Sequence, residues 1–165
     1  MAEHGAAILT ILNDAIVSST ALYDYEPRPL ASMTTWFDAK RAGDYPVWGA
    51  VADGVLLGFA TYGTFRAFPA YKYSVEHSVY VATGARGRGV GQALMARLIQ
   101  SAAEQQKHLL IGGIDALNAA SVAFHEKLGF VHAGTIKQAG FKFGRWLDLA
   151  FYQLTLSTPA EPRDG

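Results

Sequence analysis

The stretch Val75–Leu98, VEHSVYVATGARGRGVGQALMARL, decides how the chain folds. Val79 and Val81 alternate with Ser78 and Tyr80, the period of a pleated strand. Thr83 and Gly84 break the pattern, and Arg86-Gly87-Arg88-Gly89-Val90-Gly91 follows. Ala93, Leu94, Ala96, Leu98 and Ile99 then recur at helical spacing. A strand that turns through glycines into a helix presents backbone N–H donors, the positive end of a helix dipole and, here, two fixed cations. In physical terms this is a cradle for a pyrophosphate.

Two familiar phosphate loops do not fit. The dinucleotide pattern G-x-G-x-x-G begins at Gly87 and Gly89 but meets Gln92 where its third glycine belongs. The P-loop spacing from Gly84 to Gly89 continues into Val90 and Gly91 rather than Lys and Ser/Thr. What does fit is Arg86-x-x-Gly89-x-Gly91 behind a strand. In isolation that pattern serves equally well as a turn that only seats a helix on a sheet, so the rest of the chain has to decide.

The 165 residues suit one domain, and a hydrophobic fraction of 50% supports a sizeable core. Fourteen basic and 14 acidic residues cancel, which argues against a general nucleic-acid or anionic-membrane binder. With no cysteine there is no disulfide framework, thiol nucleophile or thiolate metal site. The five histidines, His4, His77, His108, His125 and His132, have no ligand spacing, so no metal site is expected. No apolar run approaches the ~20 residues of a membrane span, and no signal peptide is visible, so a soluble cytoplasmic protein is expected.

Outward from the central stretch, residues 6–18 place Ile8, Leu9, Ile11, Leu12, Ala15 and Ile16 on one helical face. A second helix is expected over 30–42. Val47–Ala52 and Val55–Tyr62 read as strands joined by the hairpin turn Asp53-Gly54. Leu109–Ile114 is wholly apolar or glycine, as in a buried parallel strand. Asn118–Leu128 reads as a helix stopped by Gly129. Phe130–Ile136 and Leu147–Leu156 complete the strands, with Gly140–Trp146 as the loop between them, and 157–165 is expected to fray. The order predicts an α/β fold: a mixed sheet with helices on both faces.

Asn118-Ala-Ala-Ser121 and Phe124-His125-Glu-Lys-Leu128-Gly129-Phe130, with Arg86-x-x-Gly89-x-Gly91, resemble the two motifs of the GNAT acetyltransferase superfamily. His125 stands where the tyrosine of the second motif is usual. Tyr71 to Val81, His125 and Gly140 to Asp148 are similar to the phosphinothricin and methionine sulfone/sulfoximine acetyltransferase branch, and the likeness runs from about Ala6 to Leu156. The resemblance implies residues 1–156 as one acetyltransferase domain and a sheet splayed at an acyl-CoA cleft. It also implies acetyl-CoA as the acetyl donor and the α-amine of a small amino acid as the acceptor. Resistance to phosphinothricin-like antibiotics would be a by-product. The short first edge strand usual in the family has no counterpart before Met1-Ala2-Glu3-His4, so it is expected to be missing.

The resemblance also assigns roles. Val79, Tyr80 and Val81 pair with the pantetheine arm; Arg86, Gly87, Arg88, Gly89, Val90, Gly91 and Gln92 hold the pyrophosphate; Asn118 and Ser121 meet the arm. A backbone N–H near Val79 stabilises the oxyanion, worth roughly 3–4 kcal/mol. Arg66, Ala67, Phe68, Glu76, His77 and Ser78 match the substrate segments. Arg66 suits a carboxylate or an oxyanionic side chain. Glu76 is the candidate general base, which requires a raised pKa. On its own, one strand glutamate is most often a surface charge. His125 either protonates the leaving thiolate or shares the base role; on its own it reads as a core histidine. The Gly140–Trp146 loop is the expected contact of a homodimer.

Three other readings remain in play. A related enzyme acetylating a polyamine, aminoglycoside or protein N-terminus would favour an acidic pocket, against Arg66 and Lys72. A non-catalytic acyl-CoA sensor would have little use for both Glu76 and His125. Gly84-Ala-Arg-Gly87 is a G-x-x-G loop of the kind that binds RNA, but the zero net charge opposes it.

Overall fold

The computed structural model describes residues 4–164, as helices α1 (Gly5–Ser18), α2 (Ser32–Ala42), α3 (Val90–Glu104) and α4 (Ala119–Lys127) and strands β1 (Val47–Ala52), β2 (Val55–Thr64), β3 (Ser74–Val81), β4 (Leu109–Asp115), β5 (Val131–Lys142) and β6 (Arg145–Thr155). The six strands form one mixed sheet in the order β1-β2-β3-β4-β6-β5. No strand precedes α1 among the described residues, and Met1–Glu3 lie outside them.

Contacts divide the chain into two compact units. The first comprises the chain up to Gly63 with Ser78–Ser101. Its core brings Ile8, Leu9, Ile11 and Leu12 of α1, Met33 and Phe37 of α2 and Leu56 and Phe59 of β2 together, so the apolar stripe of α1 faces inward as its spacing predicts. Helix α2 starts two residues later than expected. Ser32 closes a turn on the carbonyl of Pro29 through its N–H (3.0 Å) and Oγ (2.7 Å), leaving Leu30 outside the helix. Asp53 and Gly54 both take positive φ, the hairpin geometry their types favour. On α3, Ser101 Oγ accepts from Trp48 Nε1 (2.8 Å) and Arg97 lies 4.1 Å over the Trp48 ring, fastening α3 to β1.

The second unit comprises Thr64–His77 with everything from Ala102 onward. Strand β4 runs antiparallel to β6 from Leu109↔Thr155 to Asp115↔Leu149 without a register shift. On its other side β4 pairs in parallel with β3, but only from Ser74↔Leu109 to Glu76↔Ile111. That ladder ends at Glu76, although both strands continue. Strand β5 bulges between Ile136 and Gly140, and Asp148 pins the bulge by accepting from Lys137 Nζ and Gln138 N–H, both at 2.9 Å.

Two expectations change here. Gly140–Trp146 is not a loop: β5 runs to Lys142, β6 begins at Arg145, and only Phe143-Gly144 turn between them. Both turn residues have positive φ, so a phenylalanine fills a position where asparagine or aspartate is usual, which hides the turn in the sequence. The C-terminal segment is also tied down as far as it is described. Thr158 Oγ1 donates to Lys107 O (2.5 Å), Thr158 O accepts from His108 Nδ1 (3.0 Å), and Arg163 N–H donates to Tyr73 Oη (3.1 Å).

Candidate active site

The glycine-rich turn belongs to the first unit. Gly87 and Gly89 take positive φ, conformations open to glycine with little strain. A Cβ at Gly84, Gly87 or Gly89 would meet nothing within 4 Å, so this backbone faces open space. Gly89 O accepts the first helical hydrogen bond from Ala93 N–H (3.0 Å). The N–H groups of Val90, Gly91 and Gln92 therefore precede the first intrahelical bond of α3. Arg86 and Arg88 are exposed, and Arg86 Nε donates to the carbonyl of Val81 (3.3 Å), tying the turn to the end of β3. Open backbone donors, a helix start and two exposed cations fit the pyrophosphate of an acyl-CoA.

In the second unit, Asn118 caps α4: its Oδ1 accepts from Ser121 N–H at 3.1 Å. The cap uses the oxygen of the amide, while the amide nitrogen is the donor an acyl-CoA arm would need. Behind it, buried Asp115 forms an ion pair with Arg145 and accepts from Leu117 N–H (3.2 Å), while Ala116 N–H donates to Asp148 O (2.9 Å). The start of α4 is thus held to β6.

Glu76 and His77 are adjacent on β3, so their side chains leave opposite faces of the strand. Glu76 is solvent-accessible. The vacant side of Gly113 lies 3.2 Å from Glu76 Oε1, with Leu149 at 3.2 Å and Phe151 at 3.9 Å. Phe65 packs edge-on against Phe151 and Tyr71, with ring centroids 6.4 and 5.9 Å apart, and the Arg66 guanidinium lies 5.5 Å over the Phe65 ring. Partial burial raises the pKa of Glu76, and the charge of Arg66 opposes that rise. One face thus offers a carboxylate poised to take a proton, a guanidinium and an aromatic wall.

The other face is closed. His77 and His125 are 7% and 4% exposed, and their rings stack with centroids 5.0 Å apart at 24°. Phe130 meets both edge-on, at 5.2 and 5.3 Å. His125 Nδ1 donates to the carbonyl of Ser121 (2.7 Å), which fixes the tautomer and makes Nε2 an acceptor. Neither nitrogen of His77, nor Nε2 of His125, has a hydrogen-bond partner among the described residues. Burial lowers the pKa of His125 against the pull of its bond to Ser121, and lowers that of His77 to about 3, with the nearby His125 pushing the same way. Both imidazoles are neutral near pH 7.

Of the expected substrate segment, Arg66, Ala67 and Phe68 lie on an exposed loop, Phe68 at 71%, while the His77 ring turns to the closed face. Val79, Tyr80 and Val81 are half-buried on β3, as is Ser78. The sequence reading overlooked Gly113, Leu149 and Phe151. The only signal was the pair of glycines inside an otherwise apolar strand. No three His, Asp or Glu side chains converge as metal ligands among the described residues, and none of the described helices is long and apolar enough to cross a membrane.

Comparison with known proteins agrees with this architecture. The Acetyltransferase (GNAT) family model matches residues 12–130. The chain is 45% identical over 150 residues to the L-methionine sulfoximine/L-methionine sulfone acetyltransferase of Pseudomonas paraeruginosa, covering 90% of this chain and 87% of that one. It is 40% identical over 157 residues to the L-amino acid N-acyltransferase MnaT of Escherichia coli, covering 95% and 91%. A GNAT superfamily phosphinothricin acetyltransferase from Sinorhizobium meliloti, solved in complex with AcCoA, superposes with a TM-score of 0.93 at 33% identity, covering 98% of this chain and 89% of that one. With its strand, glycine-rich turn and helix, its capped Asn118 helix and a family match over most of its length, the chain belongs to the GNAT acetyltransferase family.

Proposed function

We propose that the protein transfers the acetyl group of acetyl-CoA to the α-amine of a small amino acid bearing a tetrahedral, oxygenated side chain: methionine sulfoximine, methionine sulfone or phosphinothricin. The observation that carries this reading is an accessible Glu76, its pKa raised, within the electrostatic reach of Arg66 on the open face, where the β3–β4 ladder ends. The names of the relatives support the acceptor class.

The turn from Arg86 to Gln92 holds the pyrophosphate, the β3 backbone at Val79–Val81 pairs with the pantetheine arm, and the Asn118 amide donates to that arm, with Ser121 beside it. When bound, acetyl-CoA supplies a thioester whose C–S bond breaks as the new C–N bond forms. Arg66 anchors the carboxylate or the side-chain oxygens of the amino acid, and Ala67 and Phe68, on the same loop, line its approach. Glu76 removes a proton from the α-ammonium so that the amine can attack; a raised pKa brings such a base closer to working pH. His125 has its acceptor at Nε2, but burial resists its protonation, so it is poorly suited to take the ammonium proton. The base role for the amine therefore falls to Glu76.

The protein acts as a soluble cytoplasmic homodimer joined through the β5–β6 hairpin, whose Phe143 and Trp146 are both 58% exposed. A monomeric mass in sedimentation would overturn that assembly. Thiol release from acetyl-CoA tests the activity against methionine sulfone, methionine sulfoximine, phosphinothricin, methionine, spermidine and an aminoglycoside. Turnover confined to the first three is expected. Turnover with polycations alone would overturn the substrate assignment, and acetyl-CoA binding without turnover would mark a sensor.

A further inference from the structure

Strand β4, LLIGGID over Leu109–Asp115, contains two consecutive glycines. Glycine weakens a strand interior, and where it occurs it marks a bulge, a bend or a close approach. Neither Gly112 nor Gly113 takes positive φ, and the ladder to β6 passes through both in register, Gly112↔Tyr152 and Gly113↔Phe151. The backbone conformation therefore does not call for glycine at either place. Space does. A Cβ at Gly113 would lie 3.2 Å from Glu76 Oε1 and 3.2 Å from Leu149 Cδ1. A Cβ at Gly112, on the opposite face, would lie 2.8 Å from His77 Nε2 and 3.3 Å from His125 Nε2.

We propose that both glycines are positioning residues: Gly113 seats the Glu76 carboxylate on the open face of β4, and Gly112 seats the His77–His125 stack on the closed face. The Gly113 half rests on the reading of Glu76 as the base. The two neighbourhoods differ in how they can yield. The atoms against Gly113 are the far ends of two flexible side chains, Glu76 and Leu149, neither of them fully buried, so a methyl group there displaces the carboxylate and the leucine by a few tenths of an ångström and leaves the fold intact. The atoms against Gly112 belong to two buried, stacked rings with no open side.

Within this unit the charged groups on the Glu76 face include Arg66, across the Phe65 ring, the Asp115–Arg145 pair further along β4, and buried Lys142, opposite Arg145 in the β5–β6 ladder. None of them is changed by an added methyl. A shift in titration on adding that methyl therefore reports on the carboxylate itself. The methyl adds apolar surface beside the carboxyl and disfavours its charged form, so the acid limb of kcat should move to higher pH.

The experiment compares Gly113→Ala and Gly112→Ala by thermal melting and by the pH profile of kcat, with Glu76→Gln, Glu76→Asp and the Gly113→Ala/Glu76→Asp double variant alongside. Gly113→Ala should keep its Tm and its KM for acetyl-CoA, lose about tenfold in kcat, as expected of a small misplacement of a reacting group, and shift its acid limb upward. In the Glu76→Asp background, where the carboxyl is withdrawn by one methylene, the same alanine should cost less than twofold. Gly112→Ala should melt well below Gly113→Ala, and removing the ring in Gly112→Ala/His77→Ala should recover part of that loss. If Glu76→Gln turns over normally, the base assignment fails. If Glu76→Gln is slow while Gly113→Ala keeps kcat within twofold and an unmoved limb, the positioning role of Gly113 is overturned. A Gly112→Ala protein as stable as the parent overturns the Gly112 half.

Discussion

Glu76 and His77 are consecutive residues with opposite fates. Glu76 projects into an open face with a guanidinium nearby; His77 projects into a closed one and stacks on a second imidazole. Burial acts on both, yet with opposite consequences. It raises the pKa of the carboxyl and so makes it a better proton acceptor, while it lowers those of the imidazoles and keeps them neutral. The difference teaches that the period of two along a strand can separate an accessible carboxyl from a buried imidazole without any distance in sequence.

The comparison breaks most readily at the open face. Glu76→Gln should lower kcat about 100-fold or more, the range of a lost general base, while the Tm and the Kd for acetyl-CoA stay near the parent's. A kcat within threefold of the parent would end the assignment of Glu76. His125→Ala should lower turnover at least about tenfold and, unlike Glu76→Gln, also lower the Tm, because it empties a buried site; calorimetry alongside steady-state kinetics separates the two effects.

Arg66→Ala sharpens the open face further. It should raise the KM for the amino acid about tenfold, the scale of one lost charge-assisted contact. Because Arg66 favours the charged form of Glu76, its removal lets the Glu76 pKa climb, and the acid limb of kcat should move to higher pH. A limb that stays in place or moves down would show that Arg66 does not act on the carboxylate.

The smallest effect belongs to the closed face and appears in stability. The folded pKa values of His77 and His125 lie below the ordinary value, so the unfolded chain binds more protons there. Their contribution to stability is complete above pH ~6.5 and is lost as pH falls, at up to about 1.4 kcal/mol per pH unit for each ring that stays neutral. His77→Phe keeps a flat ring but removes one titrating group. Denaturant unfolding between pH 7 and pH 5 should therefore show a shallower loss for the variant, and equal slopes would contradict the buried-neutral state of His77.

Much of the architecture is legible in local patterns. The apolar face of α1, the Asp53-Gly54 turn and the strand-turn-helix around Arg86–Gly91 each rest on neighbours a few residues apart, which is the range that periodicity and turn chemistry encode. The failures share a cause. Phe143-Gly144 turns a hairpin because the β5–β6 ladder on both sides enforces positive φ on an aromatic residue. The C-terminal segment is held by Tyr73, Lys107 and His108, far back in the chain, and nothing in its composition announces those partners.

The candidate site divides the same way. By itself the sequence determined the strand, glycine-rich turn and helix around Arg86–Gly91, the Asn118 helix and the choice of Glu76, Arg66 and His125 as candidates, because a motif carries its own donors, charges and glycines in consecutive positions. Only the tertiary structure decided that Glu76 and the two histidines stand on opposite faces, that Leu149 and Phe151 wall the open one, and that two glycines of β4 leave room on each. Those relations depend on register between strands distant in sequence, and a one-residue slip would exchange the two faces.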